Sequence, residues 1–238
     1  MGKKSQGVVV SPYFLPSKTK CSSDGEGKST SRKGNTNLAI VKAKKKTQRS
    51  RTIAGMPLDD VLKLKLPDYL AQNLDLLFVG INPGVWSAAY GHHYGNPRNH
   101  FWPCLSESGL INQKLTCDND ADCLQFGIGF TNIVDRTTPS YADLSRTEIK
   151  DGIDGLLNKI IAFKPRIVCF NGKGIYEIFS GSKCNYGLQP DNVTVLGKTL
   201  TCNIYVMPST SPRTASFPTA KDKIKFFQEL KDLRDNCK

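Results

Sequence analysis

The segment LDLLFVGINPG (74–84) is an apolar run that ends abruptly in Asn-Pro-Gly. Two further runs, RIVCF (166–170) and CNIYVM (202–207), have the same form, and a turn-rich segment follows each. Short, continuously apolar runs bounded by turn residues are typical of fully buried strands in a parallel sheet. Helical patterns surround these runs, at about 99–110, 145–163, 172–180 and 219–235, the last with Thr219 as its N-cap. This alternation of strand and helix predicts a three-layer α/β/α sandwich around a mostly parallel central sheet.

The positive charge of the chain is concentrated towards its amino-terminal end. Residues 1–57 contain 13 Lys and Arg against Asp24 and Glu26, whereas the remainder is nearly balanced, within a net charge of +12. Residues 1–55 are rich in Ser, Gly, Lys and Thr and have little hydrophobic periodicity, so we predict a disordered basic tail there and one globular domain over 56–238. A polycationic tail suits a polyanion such as nucleic acid, with an anionic membrane as the competing interpretation.

The sequence contains few recognisable signals for membrane insertion, secretion or nuclear import. The start MGKKSQ lacks the apolar core of a secretory signal, and no apolar stretch approaches the roughly 18–20 residues that cross a bilayer. We therefore expect no membrane association. The cluster from Lys42 to Arg51 indicates a nuclear import signal or, equally, a solvated tail.

The cysteines and histidines give little support for a metal site. None of the eight cysteines forms a Cys-x-x-Cys pair and several lie in apolar runs, so free buried thiols are favoured over disulfides or zinc. All three histidines, His92, His93 and His100, fall in one short stretch, which predicts a single site. We interpret them as polar contacts to a ligand and expect no metal.

Chemistry is expected where the predicted strands end, because ligands of open parallel sheets bind beyond the carboxyl ends of the strands. The segments that follow the strands are 82–102, 171–174 and 208–218, and FGIGFTNIVDRTTP (126–139) adds a fourth. They are rich in amides, hydroxyls, aromatics and glycine, and Asp135 is their only carboxylate. Hydrolysis by paired acids or by a Ser-His-Asp relay would need more carboxylates there.

An amide such as Asn82 cannot act as a base, but it can orient a water by hydrogen bonding. That suffices when the leaving group departs largely unaided as a stabilised anion, as a nucleobase does. Asn-Pro-Gly alone is also a common turn after a strand.

Three other segments have both a functional and a structural interpretation. The stretch from Tyr90 to Trp102 suits a pocket for a flat heterocycle, although Phe101 and Trp102 fit ordinary core packing. NGKG (171–174) offers backbone N–H groups and Lys173 to a phosphate, or simply begins a helix. The Pro/Ser-rich loop with Arg213 suits a wedge that enters DNA, or a surface loop.

Together these segments resemble the mismatch-specific uracil/thymine-DNA glycosylases of the uracil-DNA glycosylase superfamily, most of all the animal thymine-DNA glycosylases. The matching motifs run in order from about 66 to 238: VGINPG, GHHY, NHFW, GIGFTN, RTTP, PRI, FNGK, IYEIF, YGLQP, MPS and KDLRD. Two positions depart from the family pattern. Ser87 stands where Ala is frequent, and Pro212 precedes the wedge Arg where Ala is usual in animal relatives.

The resemblance implies a uracil-DNA glycosylase-like catalytic domain over 56–238 and a monofunctional reaction on uracil or thymine mispaired with guanine, with oxidised 5-methylcytosine derivatives as further substrates. It implies base-excision repair in the nucleus by a monomer without metal or organic cofactor. The partners are then a double-stranded DNA with a G·U or G·T mismatch and a downstream abasic-site endonuclease. Two alternatives stay open: a catalytically silent module that binds mismatches or modified bases, and a nucleotide-binding enzyme that uses NGKG.

The resemblance also assigns roles to single residues. Asn82 positions the hydrolytic water, Thr138 helps to hold it, and His93 lies near the leaving-group edge of the base. The backbone of Ile81 and the side chain of Asn132 contact the flipped base, and Tyr94 stacks on it. The remaining implied residues contact DNA: Ser209 and Ser211 at flanking phosphates, Lys173 nearby, Arg213 in the vacated gap, and Ala215 in the loop facing the orphan guanine.

Overall fold

The computed structural model describes residues 51–237. Their β-strands are β1 Thr52–Ile53, β2 Met56–Pro57, β3 Leu76–Gly80, β4 Ile128–Asn132, β5 Ile167–Asn171, β6 Gly187–Leu188, β7 Thr194–Val195, β8 Lys198–Thr199 and β9 Asn203–Met207. Their α-helices are α1 Leu58–Val61, α2 Val85–Tyr90, α3 Phe101–Glu107, α4 Arg146–Phe163, α5 Lys173–Ser180 and α6 Lys221–Asn236. Short 3-10 helices lie at Cys117–Asn119, Ala121–Phe126 and Tyr141–Asp143.

The central sheet has five strands in the order β4-β3-β5-β9-β6. The first four are parallel, and β6 pairs antiparallel to β9 at the edge. The three apolar runs quoted above become β3, β5 and β9, and β4 comes from the fourth segment. The prediction of a mostly parallel sheet is therefore confirmed.

Helices cover both faces of the sheet, because side chains alternate along each buried strand. On β3, Leu76 and Phe78 pack into a cluster that includes Phe101 of α3 and Phe227 of α6. The intervening residues of β3 pack into a second cluster with α4 and α5. Two helical layers thus enclose one sheet, as the three-layer α/β/α prediction requires.

The described fold also includes residues assigned to the tail. Ile53, within the segment 1–55, is only 3% exposed and packs with Val61, Val85 and Ala88. The short β1–β2 hairpin therefore belongs to the globular part, and the rest of the predicted tail, up to residue 50, lies outside the described residues.

The four predicted helices are present with boundaries shifted by a few residues. At the start of α4, Ser145 Oγ accepts a hydrogen bond from the Glu148 N–H (3.1 Å), and the Glu148 carboxylate accepts one from the Ser145 N–H (2.9 Å). Thr219 and Asp222 make the same reciprocal pair before α6, but Ala220 rather than the predicted Thr219 is the residue that precedes the first helical position. None of the helices among residues 51–237 is long and apolar enough to cross a membrane.

The cysteines within the fold are free thiols. Cys104, Cys123 and Cys169 are buried as predicted, whereas Cys117, Cys184, Cys202 and Cys237 are partly exposed. Cys21 lies outside the described residues.

Candidate active site

A cavity of about 500 Å³ opens at the carboxyl ends of the parallel strands. The strand register creates it, because Gly80 at the end of β3 pairs with Asn132 at the end of β4, and Asn171 pairs with Met207. Its volume is within the range of small-ligand pockets. Nine of the residues assigned above line it: Ile81, Asn82, His93, Tyr94, Asn132, Thr138, Ser209, Ser211 and Arg213.

No Asp or Glu is among the described residues that line this cavity. Asp135, the only carboxylate of the strand-end segments, is exposed to solvent and lies outside the lining. The cavity therefore has no acid pair for conventional glycoside hydrolysis.

Hydrogen bonds fix the orientation of the Asn82 side-chain amide. Its Nδ2 donates to the backbone carbonyl of Arg136 (2.8 Å) and to Oγ1 of Thr138 (2.7 Å). Because a carbonyl oxygen can only accept, the atom facing Arg136 must be the nitrogen. The Asn82 Oδ1 is thus the group available to a water, as a hydrogen-bond acceptor.

The buried Thr138 hydroxyl supports Asn82. It accepts from Asn82 and donates to the backbone carbonyl of Ser140 (2.7 Å). Its single proton is thereby donated to Ser140, so the Thr138 oxygen acts as an acceptor that holds the Asn82 amide in place.

Asn132 is nine-tenths buried at the end of β4, against Gly80 of the neighbouring strand. A Cβ atom at position 80 would clash with Asn132 Oδ1. Glycine at 80 is therefore required for the Asn132 amide to occupy this place beside the cavity.

Tyr94 forms an aromatic wall. One face of its ring stacks on Phe101, with centroids 3.9 Å apart and planes 11° apart. A heterocycle in the cavity can therefore stack only on the opposite face. The backbone at Tyr94 has a φ of +54°, a left-handed conformation held by the surrounding packing.

His93 is buried, and its Nε2 donates to the backbone carbonyl of Pro67 (2.8 Å). Burial lowers the pKa of the imidazole, so His93 is neutral near pH 7. The backbone N–H of His93 donates to the carboxylate of Asp120 (2.8 Å), which is 1% exposed. Asp120 also binds the His92 ring (3.0 Å) and so holds this turn in place.

The loop after β9 is anchored to the end of β5. The Asn171 side chain donates to Thr210 Oγ1 (2.9 Å), and its Oδ1 accepts from the Thr210 N–H (2.9 Å). This pair holds the loop that displays Ser209, Ser211 and the exposed Arg213 at the cavity mouth.

A buried lysine of α6 gives the loop a second anchor. Lys223 is 1% exposed, and its Nζ donates to the Ser211 carbonyl (3.1 Å) and to Nδ1 of His100 (3.0 Å). Burial lowers the pKa of both Lys223 and His100, and the neighbouring lysine lowers that of His100 further. His100 is therefore the neutral acceptor of the pair.

Residues 67–232 match the model of the uracil DNA glycosylase superfamily. The chain belongs to this superfamily. A curated relative, the G/U mismatch-specific uracil DNA glycosylase of Schizosaccharomyces pombe, is 34% identical over 174 residues, which cover 68% of this chain and 52% of the relative. The chain thus spans about half the length of that relative.

Not every assigned residue of this superfamily member reaches the cavity. Lys173 begins α5, but its ammonium group lies 5.8 Å from the centre of the Tyr186 ring, and the lysine does not line the cavity. Ala215 is exposed beyond the cavity mouth.

The prediction that the three histidines form one site is wrong. Only His93 lines the cavity, whereas His92 binds Asp120 and His100 binds Lys223. The carboxylates near His92 come from a segment 26 or more positions away in the sequence, since Asp118 also lies 3.9 Å from His92. Among residues 51–237, no group of three or more His, Cys, Asp or Glu is arranged to hold a metal ion.

The structure adds residues that the sequence argument missed. The sequence patterns placed Asn171 only within NGKG and gave Asp120 no role. For Lys223 a signal was present: positions 223, 226, 227 and 230 share one helical face, and all four are buried. A lysine within an apolar stripe indicates a buried ammonium group with partners.

Both departures from the family pattern lie at the cavity. The Ser87 hydroxyl accepts a hydrogen bond from the Gly95 N–H (3.1 Å) and thus holds the turn that carries Tyr94. Pro212 lies between Ser211 and Arg213 at the mouth.

Proposed function

We propose that this chain is a monofunctional DNA glycosylase that hydrolyses the N-glycosidic bond of uracil or thymine mispaired with guanine. The observation that carries the proposal is the Asn82 amide, fixed with its acceptor oxygen available in a cavity without carboxylates. Membership of the superfamily and the printed name of the fission-yeast relative support it.

In the proposed reaction, Asn82 Oδ1 holds a water that adds to C1′ of the deoxyribose. The bond between C1′ and the base nitrogen breaks, and the base leaves with the bonding electron pair as an anion. The attacking water loses its proton to solvent, so an abasic site and a free base remain. Because no carboxylate among the described residues lines the cavity, bases that form stable anions are the expected substrates.

The base must leave the helix to reach Asn82, and mispaired bases resist extrusion least. We assign the recognition of the extruded base to Asn132 and to the free face of Tyr94, with neutral His93 beside its leaving-group edge. The Ile81 carbonyl accepts from the Val134 N–H (2.9 Å), and we assign the backbone contact with the base to the N–H or the carbonyl of Ile81.

We assign the DNA backbone to the loop after β9. Ser209 and Ser211 contact phosphates beside the extruded nucleotide, Arg213 enters the gap, and the segment near Ala215 faces the orphan guanine. Lys173 contacts DNA further from the cavity. The basic residues 1–50 add electrostatic attraction, and the Lys42–Arg51 cluster fits the proposed nuclear role in base-excision repair.

The test is incubation of the full chain with duplexes that carry one G·U, G·T or A·U pair, followed by alkali to cleave abasic sites. We expect cleavage of the G·U and G·T strands at the mismatch and little cleavage of A·U. Absence of cleavage in all three duplexes would refute the proposal, and mismatch binding without cleavage would support the silent binding module instead.

A further inference from the structure

Tyr141 lies at the mouth of the active-site cavity, where 63% of its surface is exposed. It follows the RTTP segment and begins the 3-10 helix Tyr141–Asp143. None of the roles assigned above involves it. An aromatic ring at the entrance of a nucleotide-binding cavity is placed to contact whatever lies beside the bound nucleotide.

The other exposed tyrosines have partners within the protein. Tyr90 stacks on Trp86, with ring centroids 5.8 Å apart, and Tyr186 packs edge-on against Phe217 at 5.4 Å. Within the part of the chain that the structure describes, no aromatic ring lies against Tyr141. Its ring faces are therefore available to a ligand.

Hydrogen bonds from residues on both sides of Tyr141 fix the turn that contains it. Ser140 Oγ accepts from the Ala142 N–H (3.3 Å), and the Asp143 carboxylate accepts from the Ser140 N–H (3.1 Å). Arg136 donates to the Asp143 carbonyl (2.8 Å). Because the Ser140 carbonyl also accepts from Thr138, which holds Asn82, the ring has a defined position relative to the reaction centre.

The charges next to this turn suit a polyanion. Glu148 is paired with Arg136, and the Asp143 carboxylate is used by the Ser140 N–H. Arg146, the exposed first residue of α4, has no ion-pair partner among residues 51–237. A DNA phosphate backbone that passes Tyr141 would thus meet the Arg146 cation, five positions further along the chain. The Asp143 and Glu148 carboxylates already have partners within the protein.

We propose that Tyr141 is a nucleotide-stacking residue whose ring packs against the deoxynucleotide next to the extruded one. The inference rests on the proposed function, because extrusion of a base leaves the neighbouring base with an unstacked face. A tyrosine ring can cover such a face whatever the sequence, since every base has a π-face. It loses little conformational freedom in doing so, having only two rotatable side-chain bonds.

The first test compares steady-state kinetics of the full-length wild type, Tyr141→Ala and Tyr141→Phe on a G·U duplex. Tyr141→Ala should raise KM roughly tenfold and change kcat less than twofold, since stacking on one base contributes affinity. Tyr141→Phe keeps the ring and should remain within about twofold of wild type. Ile161→Ala, an exposed residue at the opposite end of the strands, is the matched control and should behave as wild type.

The second test detects the contact directly, in Asn82→Ala protein so that the substrate persists. The duplex carries 5-iodouracil, paired with adenine, on one side or the other of the mismatched uracil. Irradiation should attach the neighbouring nucleotide to the peptide that contains Tyr141, as identified by mass spectrometry. An adduct only at other residues, or a KM of Tyr141→Ala equal to that of wild type, would overturn the inference. Wild-type protein that releases no base would instead overturn the proposed function.

Discussion

The Asn82 side chain owes its orientation to residues more than fifty positions away. The Arg136 carbonyl accepts only from nitrogen, and Thr138 has its proton on the Ser140 carbonyl. Both contacts therefore direct the same end of the amide away from the cavity. A flipped amide would bring two oxygens together at 2.8 Å, which is unfavourable enough to exclude that orientation.

Replacement of Asn82 by Ala should reduce kcat on a G·U duplex by about a thousandfold, as the loss of an oriented polar group at a reaction centre does elsewhere. DNA binding should change less than threefold, because the alanine removes no contact to the phosphates. Single-turnover kinetics and fluorescence anisotropy measure the two quantities. Turnover at the parental rate would show that another group positions the water.

At the scale of elements, two anchors position the loop after β9, which we propose contacts DNA. Asn171 holds it to β5 and Lys223 holds it to α6, so one loop is fixed to two layers of the sandwich. Burial of an ammonium group opposes folding, which is why its pKa is lowered. We infer that this buried charge is retained for the loop conformation that it enforces.

Lys223→Met should lower the activity of the protein without lowering its thermal stability. Methionine has a similar volume and removes the buried charge, so the melting temperature should stay the same or rise. The loop loses its hydrogen bond from Lys223 to the Ser211 carbonyl, and His100 loses the other, so kcat/KM should fall roughly tenfold. Thermal unfolding and kinetics on the same preparations give both values.

Lys231→Met is the control for this substitution, because Lys231 lies further along α6 and pairs with Asp235. It should leave kcat/KM unchanged. If Lys223→Met retained wild-type kcat/KM, the loop would not depend on this anchor.

At the scale of the whole molecule, the charge is divided unevenly. Residues 1–50 contain 12 Lys and Arg against Asp24 and Glu26, so most of the net charge of +12 lies outside the described fold. We therefore propose that the cavity and its loops recognise the mismatched nucleotide and that the basic segment supplies general attraction to DNA.

Deletion of residues 1–50 should weaken DNA binding and flatten its salt dependence by several units of slope, since each phosphate contact contributes about 0.9. The deletion should end before Thr52, because Ile53 is part of the core. The single-turnover rate at saturating enzyme should be preserved. A chain with residues 1–50 scrambled should bind as the wild type, and an unchanged salt slope after deletion would contradict the role of this segment.

The features of this protein that could be predicted from its sequence depend on short local patterns. The apolar runs predicted β3, β5 and β9, and the polar segments after them predicted the edge where the cavity lies. Helix α2 was not predicted, because VWSAAY has no distinct polar face and follows an Asn-Pro-Gly turn. Its buried residues pack on the β1–β2 hairpin, a contact that no short window of sequence contains.

The sequence by itself thus determined the layered α/β class and most of the residues that meet at the cavity, since strand periodicity and strand-end position are local properties. Only the tertiary structure decided how those residues are held. The hydrogen bond between Lys223 and His100 joins positions 123 apart, and the two hydrogen bonds between Asn171 and Thr210 join positions 39 apart. Such partners are selected by packing of the sheet and its two helical layers, so their identity appears only when the chain is folded.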